Sequence, residues 1–286
     1  MTLSMFGYVV NDSLIKLAVE DVPLFQAIFV RGVFVMLILA ATVVRRRLLH
    51  NVRDYVSGPL LLRISMEAIG TVLYLTALSN APLAGLTAML QVVPVAVTFV
   101  AARLLRERVS WNRVFSVVVG FVGVLIIIRP GSTDFNPWFL VGLLVVITIV
   151  VRELATTKIP ADTPSAIVSL GTAIAIMTVG GLGSAAQGWG TARVNDVGLL
   201  FGAACFLTLG YIASVITVRT GELSFSAPFR YTVMVFAIVL QIIVFDDIPD
   251  VLTFVGTALI TAAGLYAFRT ETRAVQSPPT RPQLSR

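Results

Sequence analysis

The chain has 286 residues, 57% apolar and 13% charged, with a net charge of +6, whereas a soluble domain carries about 25% charged residues. A mean hydropathy of +0.93 is more apolar surface than a soluble core of this size can bury, so the sequence reads as an all-α integral membrane protein. One histidine, His50, and one cysteine, Cys205, exclude zinc clusters, iron–sulfur sites, thiolate relays and internal disulfides, so neither a metal nor a cofactor is expected.

A bilayer core needs about 20 apolar residues per helix. That window predicts ten transmembrane helices, near 3–19, 24–44, 59–78, 82–103, 111–128, 137–155, 163–186, 194–217, 224–245 and 249–268. Prolines at 23, 59, 82, 137, 164 and 249 punctuate these runs, and proline suits a first helical turn, where its missing N–H is unpaired anyway. Span 1 is interrupted by Asn11, Asp12 and Lys16 and lacks a basic leader, so it is not read as a signal peptide. Asp12 and Lys16 stand at i, i+4 spacing and are coupling or gating candidates. In span 2, Arg31 is expected to pair with Asp12 or Glu67, or to bind an anionic substrate.

In span 3, Arg63, Glu67, Gly70 and Tyr74 share one helical face. Arg63 can snorkel to the nearer interface, but Glu67 lies close to the bilayer centre, where an unpaired charge costs about 2.5–3.5 kcal/mol. Two readings of Glu67 stand: a stabilising Arg63–Glu67 pair, or a substrate or proton site. Span 4 carries a polar stripe of Thr87, Gln91, Pro94 and Thr98, and Pro94 denies the Leu90 carbonyl its helical donor, which bends the helix. Glu107 among Arg103, Arg106 and Arg108 reads as a cytoplasmic ion-pair cluster. Arg152 and Glu153, near the end of span 6, read as a gating or end-capping pair or as part of a transport site. Tyr211 and Tyr231, in spans 8 and 9, join Tyr74 and Gln91 as candidates for a cavity walled by spans 3, 4, 8 and 9. The glycines of spans 5 and 10 (Gly120, Gly123, Gly256, Gly264) predict close packing or a homodimer surface.

Basic residues segregate by loop. Sixteen arginines and lysines fall on one side, in the clusters around 45–53, 103–113, 152–158, 219–230 and 269–286, against Lys16, Arg129 and Arg193 on the other. The positive-inside rule places both termini in the cytoplasm. A shift of 140 to 141 residues aligns the two halves: Asp12 falls on Glu153, Pro23 on Pro164, Gly70 on Gly210, Thr71 on Tyr211, Gln91 on Tyr231 and Arg129 on Arg269. Five helices per repeat make the second copy enter the membrane inverted, an arrangement common in secondary transporters. The expected units are residues 1–130 and 131–270, followed by a disordered cytoplasmic tail, 271–286. Aligned this way, span 1 is about one turn short, so either the native protein begins upstream or this helix is thinned and tilted at its cytoplasmic end.

Ala77-Leu78, Pro82, Ala84, Pro94, Leu104-Leu105-Arg106-Glu107-Arg108, Arg113, Gly120, Gly123 and Arg129-Pro130-Gly131 together resemble the EamA branch of the drug/metabolite transporter superfamily. Arg152-Glu153-Leu154-Ala155 with 160–165, and the acidic turn 245–250, look like the corresponding turns of the second repeat. Arg106 stands where that family usually has glycine, and Asp247 where glutamate is common. The resemblance implies ten helices around a central cavity and transport of small metabolites across an inner membrane, often export. An importer or exchanger of a nucleoside- or adenosyl-type metabolite is the alternative within the same superfamily. No Walker-type loop is present, so ATP does not drive this chain directly; proton coupling, exchange and facilitated diffusion stay open. An integral-membrane lipid-modifying enzyme would need a clustered acid–base or nucleophile site, and only Arg63–Glu67 comes near one. The expected partners are the lipid bilayer and a small-molecule substrate, not nucleic acid.

Overall fold

The computed structural model describes residues 1–45, 55–104, 111–133, 135–160, 162–220 and 227–276. They form α1 (Thr2–Asp21), α2 (Leu24–Arg45), α3 (Gly58–Asn80), α4 (Leu83–Leu90), α5 (Val93–Leu104), α6 (Trp111–Ile128), α7 (Trp138–Thr156), α8 (Ser165–Gln187), α9 (Val194–Thr220), a 3₁₀ turn (Ala227–Tyr231), α10 (Thr232–Phe245) and α11 (Val251–Gln276). Among the described residues there is no strand. The expected cluster of Arg106, Glu107 and Arg108 and the end of the tail, 277–286, lie outside them.

The local chemistry explains the boundaries. Ser57 caps α3, its hydroxyl accepting the Leu60 N–H, with Pro59 in the first turn. Pro82, Pro137 and Pro164 are the N-caps of α4, α7 and α8. Asp246, at φ 50°, ends α10 in the left-handed conformation that releases a helix. Three expectations are corrected. Span 4 is not one bent helix but two, because Pro94 follows the break at Gln91 and Val92. The ninth span opens as a 3₁₀ turn rather than an α-helix. The tail expected from residue 271 begins helical, since α11 runs to Gln276.

Six helices (α2, α3, α7, α8, α11 and the first 20 residues of α9) are long and apolar enough to cross a membrane, with shorter apolar helices at 83–97, 114–128 and 229–245. Phe121, Ile147, Leu182, Phe201, Ile243 and Leu252 form an exposed apolar outer surface of the kind lipid covers.

The most extensive packing pairs are α2 with α8, α1 with α9, α3 with α7 and α6 with α11. Small residues set these distances. A Cβ on Gly7 would stand 2.8 Å from the Phe206 carbonyl oxygen and 3.0 Å from the Gly210 nitrogen, so α1 meets α9 backbone to backbone. Gly123 and Gly256 face each other's carbonyls in the same way between α6 and α11, which uses those glycines inside the chain.

Both described termini lie at one end of the bundle, the terminal end; the opposite end is the distal end. At the distal end the core closes around Leu78, Leu83, Leu86, Ile128 and Phe139. Side chains then tie the helix ends together: Asn136 Nδ2 donates to the Asn80 carbonyl at 3.1 Å, Lys16 Nζ to the Ala81 carbonyl at 2.5 Å, and the Ala84 N–H donates to Gln241 Oε1 at 2.6 Å. Arg129 pairs with Asp250 there as well.

Candidate functional site

Below that seal, a cavity of about 570 Å³ runs toward the terminal end, within the usual range for small-molecule sites. Helical spacing aims its polar walls. Tyr8, Asn11 and Asp12 line it from α1, Glu67, Thr71 and Tyr74 from α3, and Ile149, Arg152 and Glu153 from α7. The α4–α5 break supplies Thr87, Leu90, Gln91 and Pro94. Gln91 and Val92 donate to Ala88 and Met89, three residues back rather than four, and Pro94 has no N–H to offer Leu90. The main-chain carbonyls of Thr87 and Leu90, two residues that line the cavity, therefore lack their α-helical donors.

Arg152 organises the charges. Its Nη1 donates to both oxygens of Glu67, at 3.0 and 2.9 Å, and its Nη2 pairs with Glu153. Glu67 thus finds its main partner on α7, whereas Arg63 Nη2 stands 3.9 Å away and Arg63 Nη1 donates to Thr172 on α8 at 2.9 Å. The Arg63–Glu67 pair expected along α3 is the weaker contact, because Arg63 turns outward to a hydroxyl on the neighbouring helix. A second cavity of about 390 Å³ lies on the other side of this pair, lined by Arg63, Thr172, Ser169 and Tyr211 and sharing Tyr8, Glu67, Arg152 and Leu207 with the first. The Glu67–Arg152 bridge thus lines both cavities.

Asp12 and Lys16 do not pair, although they share a face of α1. Asp12 accepts the Tyr74 hydroxyl at 2.6 Å and the Asn11 amide at 2.9 Å. Lys16 points along its flexible stem to the distal seal, over the Phe245 ring at 5.3 Å. Arg31, buried at 6% exposure, donates to Asn11 Oδ1 at 3.4 Å and interacts with Asp12 and Glu67 only electrostatically. Tyr211 receives a hydrogen bond from Ser169 at 2.6 Å and faces the second cavity. Tyr231 lines neither cavity: its ring lies against Gly264 on α11, where no Cβ would fit, and Arg230 and Val233 reach the main cavity instead.

The structure therefore brings Asp12, Glu67, Tyr74, Gln91, Arg152 and Glu153 to one cavity and Arg63 and Tyr211 to its neighbour. It leaves Arg31 behind the wall and sends Lys16 and Tyr231 elsewhere. Tyr8, which lines both cavities, and Gln241, which holds the seal, escaped sequence reasoning. Tyr8 stands one turn before Asp12, a spacing that could have revealed it. Gln241 is a lone amide in the apolar run of α10, 2% exposed, and a buried amide inside a bilayer is itself a signal. Among the described residues no group of three His, Cys, Asp or Glu could hold a metal.

An apolar helical bundle enclosing a polar, charge-lined cavity is the architecture that a membrane transport protein requires. Residues 1–129 match the EamA-like transporter family. The S-adenosylmethionine uptake transporter of Rickettsia bellii is 26% identical over 96% of this chain and 93% of its own length. The riboflavin transporter of Vibrio cholerae is 27% identical over 78% of this chain and 76% of its own. The pseudopaline exporter CntI of Pseudomonas aeruginosa is 25% identical over 94% of both. A solved crystal structure with 17% identity superposes with a TM-score of 0.67, covering 95% of this chain and 98% of that one, a likeness of fold alone.

Proposed function

We propose that this chain is a secondary transporter of small organic metabolites in the cytoplasmic membrane, working by alternating access between two inverted five-helix halves. The observation that carries the reading is the polar cavity itself, built from helices of both halves, approached from the terminal end and sealed distally. Packing supports the inverted relation. Exchanging the halves turns the α1–α9 pair into α7–α3 and the α2–α9 pair into α8–α3, and all four are among the contacts. Gly70, the repeat mate of Gly210, approaches α7 at Thr148, the mate of Gly7, so equivalent positions make the closest contacts in both pairs. The segregated basic residues support cytoplasmic termini, and a C-terminal reporter active only after export would contradict that orientation.

Within transport, uptake of an adenosyl-type metabolite is favoured over export by the four relatives named S-adenosylmethionine uptake transporters, which align over 96% of this chain. Glu67 and Arg152 are the groups assigned to the transport step, because they are the charged pair that lines both cavities. Protons are the proposed coupling ion, carried on Glu67. The test is reconstitution into liposomes with radiolabelled S-adenosylmethionine, riboflavin and a panel of other metabolites, each under a proton gradient and under exchange conditions. Uptake of at least one compound above empty liposomes is expected; none under either condition overturns the reading.

A further inference from the structure

The main cavity is chemically polar along its length. Its shallow part, toward the terminal end, carries Arg230 and the ion-paired group of Arg152, Glu67 and Glu153. Its deep part, under the distal seal, has no cation among the described residues that line it, and Asp12 is the one carboxylate there. Asp12 presents a carboxylate whose hydrogen-bond partners, Tyr74 and Asn11, are neutral donors. Opposite, α4 ends in the wall with the Thr87 and Leu90 carbonyls released from the helical ladder by the break before Pro94, and a helix C-terminus is itself the negative end of the backbone dipole. Tyr8 and Tyr74 add aromatic walls, whose π-faces attract cations when water is excluded. Arg31 on α2 reaches Asn11 from behind and interacts electrostatically with Asp12, but does not line the cavity.

Resting on the transporter reading above, we infer that the deep pocket of Asp12, Tyr8, Tyr74 and the broken end of α4 receives the positively charged organic group of the substrate. The transporter then selects a sulfonium metabolite over the thioether counterpart that lacks the sulfonium charge. A hydrated metal cation is a poor match, since the aromatic walls offer π-faces rather than a shell of oxygens. A sulfonium group with its apolar substituents fits both the charge and the walls.

The experiment compares S-adenosylmethionine with S-adenosylhomocysteine, its thioether counterpart without the methyl group and sulfonium charge, as competing substrates in reconstituted liposomes. The native protein should favour the sulfonium compound by about tenfold or more, the scale of one desolvated charge or cation–π contact. Asp12→Asn should bring the two toward equal uptake, and Asp12→Glu should keep the preference. If Asp12→Asn does not assemble, as judged by its thermal transition, Tyr8→Leu reads the same pocket and should lower the ratio. A ratio unchanged in Asp12→Asn, or in Tyr8→Leu where that variant substitutes for it, overturns the assignment. Equal uptake of both compounds by the native protein overturns it while leaving transport intact. Uptake of neither compound, with another metabolite of the panel carried, overturns it as well. Uptake of nothing at all removes the transporter reading and this pocket with it.

Discussion

The two ends of the bundle are held shut and held open by different chemistry. At the distal end, Asn136, Lys16 and Gln241 come from three separate helical regions and all grip the main chain of one short turn, 80–84. Toward the terminal end, polar groups face one another across space, and Glu67 is tied to Arg152 by an ion pair that lines two cavities. Main-chain carbonyls and N–H groups are always available at a helix end, so a seal made on them needs no matching side chain and can be released by moving one turn. An ion pair in an apolar bundle cannot be released without giving each charge a new partner. The distal end is therefore suited to opening and closing, and the cavity end to holding a ligand.

Substitutions at each end can break this contrast. The largest effect is expected for Arg152→Ala, which leaves Glu67 and Glu153 facing each other without their shared cation. The pair is partly exposed, so the stability loss should be about 2 kcal/mol, but uptake should be abolished. A thermal transition beside an uptake assay separates the two readouts, and normal uptake would remove the bridge from the mechanism.

Glu67→Gln comes next and acts on function alone. The amide keeps size and hydrogen bonding, so folding should survive with a change of under about 1 kcal/mol, while accumulation, or its dependence on pH, is lost. Transport with unaltered pH dependence would reduce Glu67 to a structural residue.

Gln241→Leu tests the seal. It strands the Ala84 N–H and removes the bond that Gln241 Nε2 donates to Asp247 at 3.0 Å, at a cost of about 1–3 kcal/mol for an unsatisfied buried group. A cysteine placed at Thr253, on the rim of the small distal cavity, should then label faster with an impermeant thiol reagent. Faster labelling in Arg152→Ala but not in Gln241→Leu would reverse the roles assigned to the two ends. Smallest of all, Asp250→Asn loses an ion pair whose carboxylate is half exposed and should shift stability by no more than about 1 kcal/mol, measurable as a transition shift of a few degrees at most.

The spans were legible because hydropathy over about 20 residues and proline at helix starts are properties of a segment taken alone. Glu67 and Tyr74 were legible for a related reason: a polar side chain inside a bilayer must face something other than lipid. What each residue faces was not legible. Asp12 and Lys16 are correctly spaced to pair on α1, yet Asp12 finds the Tyr74 hydroxyl and Lys16 the Ala81 carbonyl, both supplied by the α3 region. Tyr231, matched to Gln91 by the repeat, is captured by the gap at Gly264.

The sequence by itself determined an all-helical membrane protein, the run of its apolar spans, the polar residues inside them and the glycines that allow close contact, since each follows from the cost of placing a given side chain or peptide group in hydrocarbon. Only the tertiary structure decided that Arg152 rather than Arg63 holds Glu67, that span 4 breaks in two at the cavity wall, and that one end of the bundle is sealed on main-chain groups. Those outcomes depend on which helix lies beside which, and side-chain spacing within one helix carries no record of its neighbours.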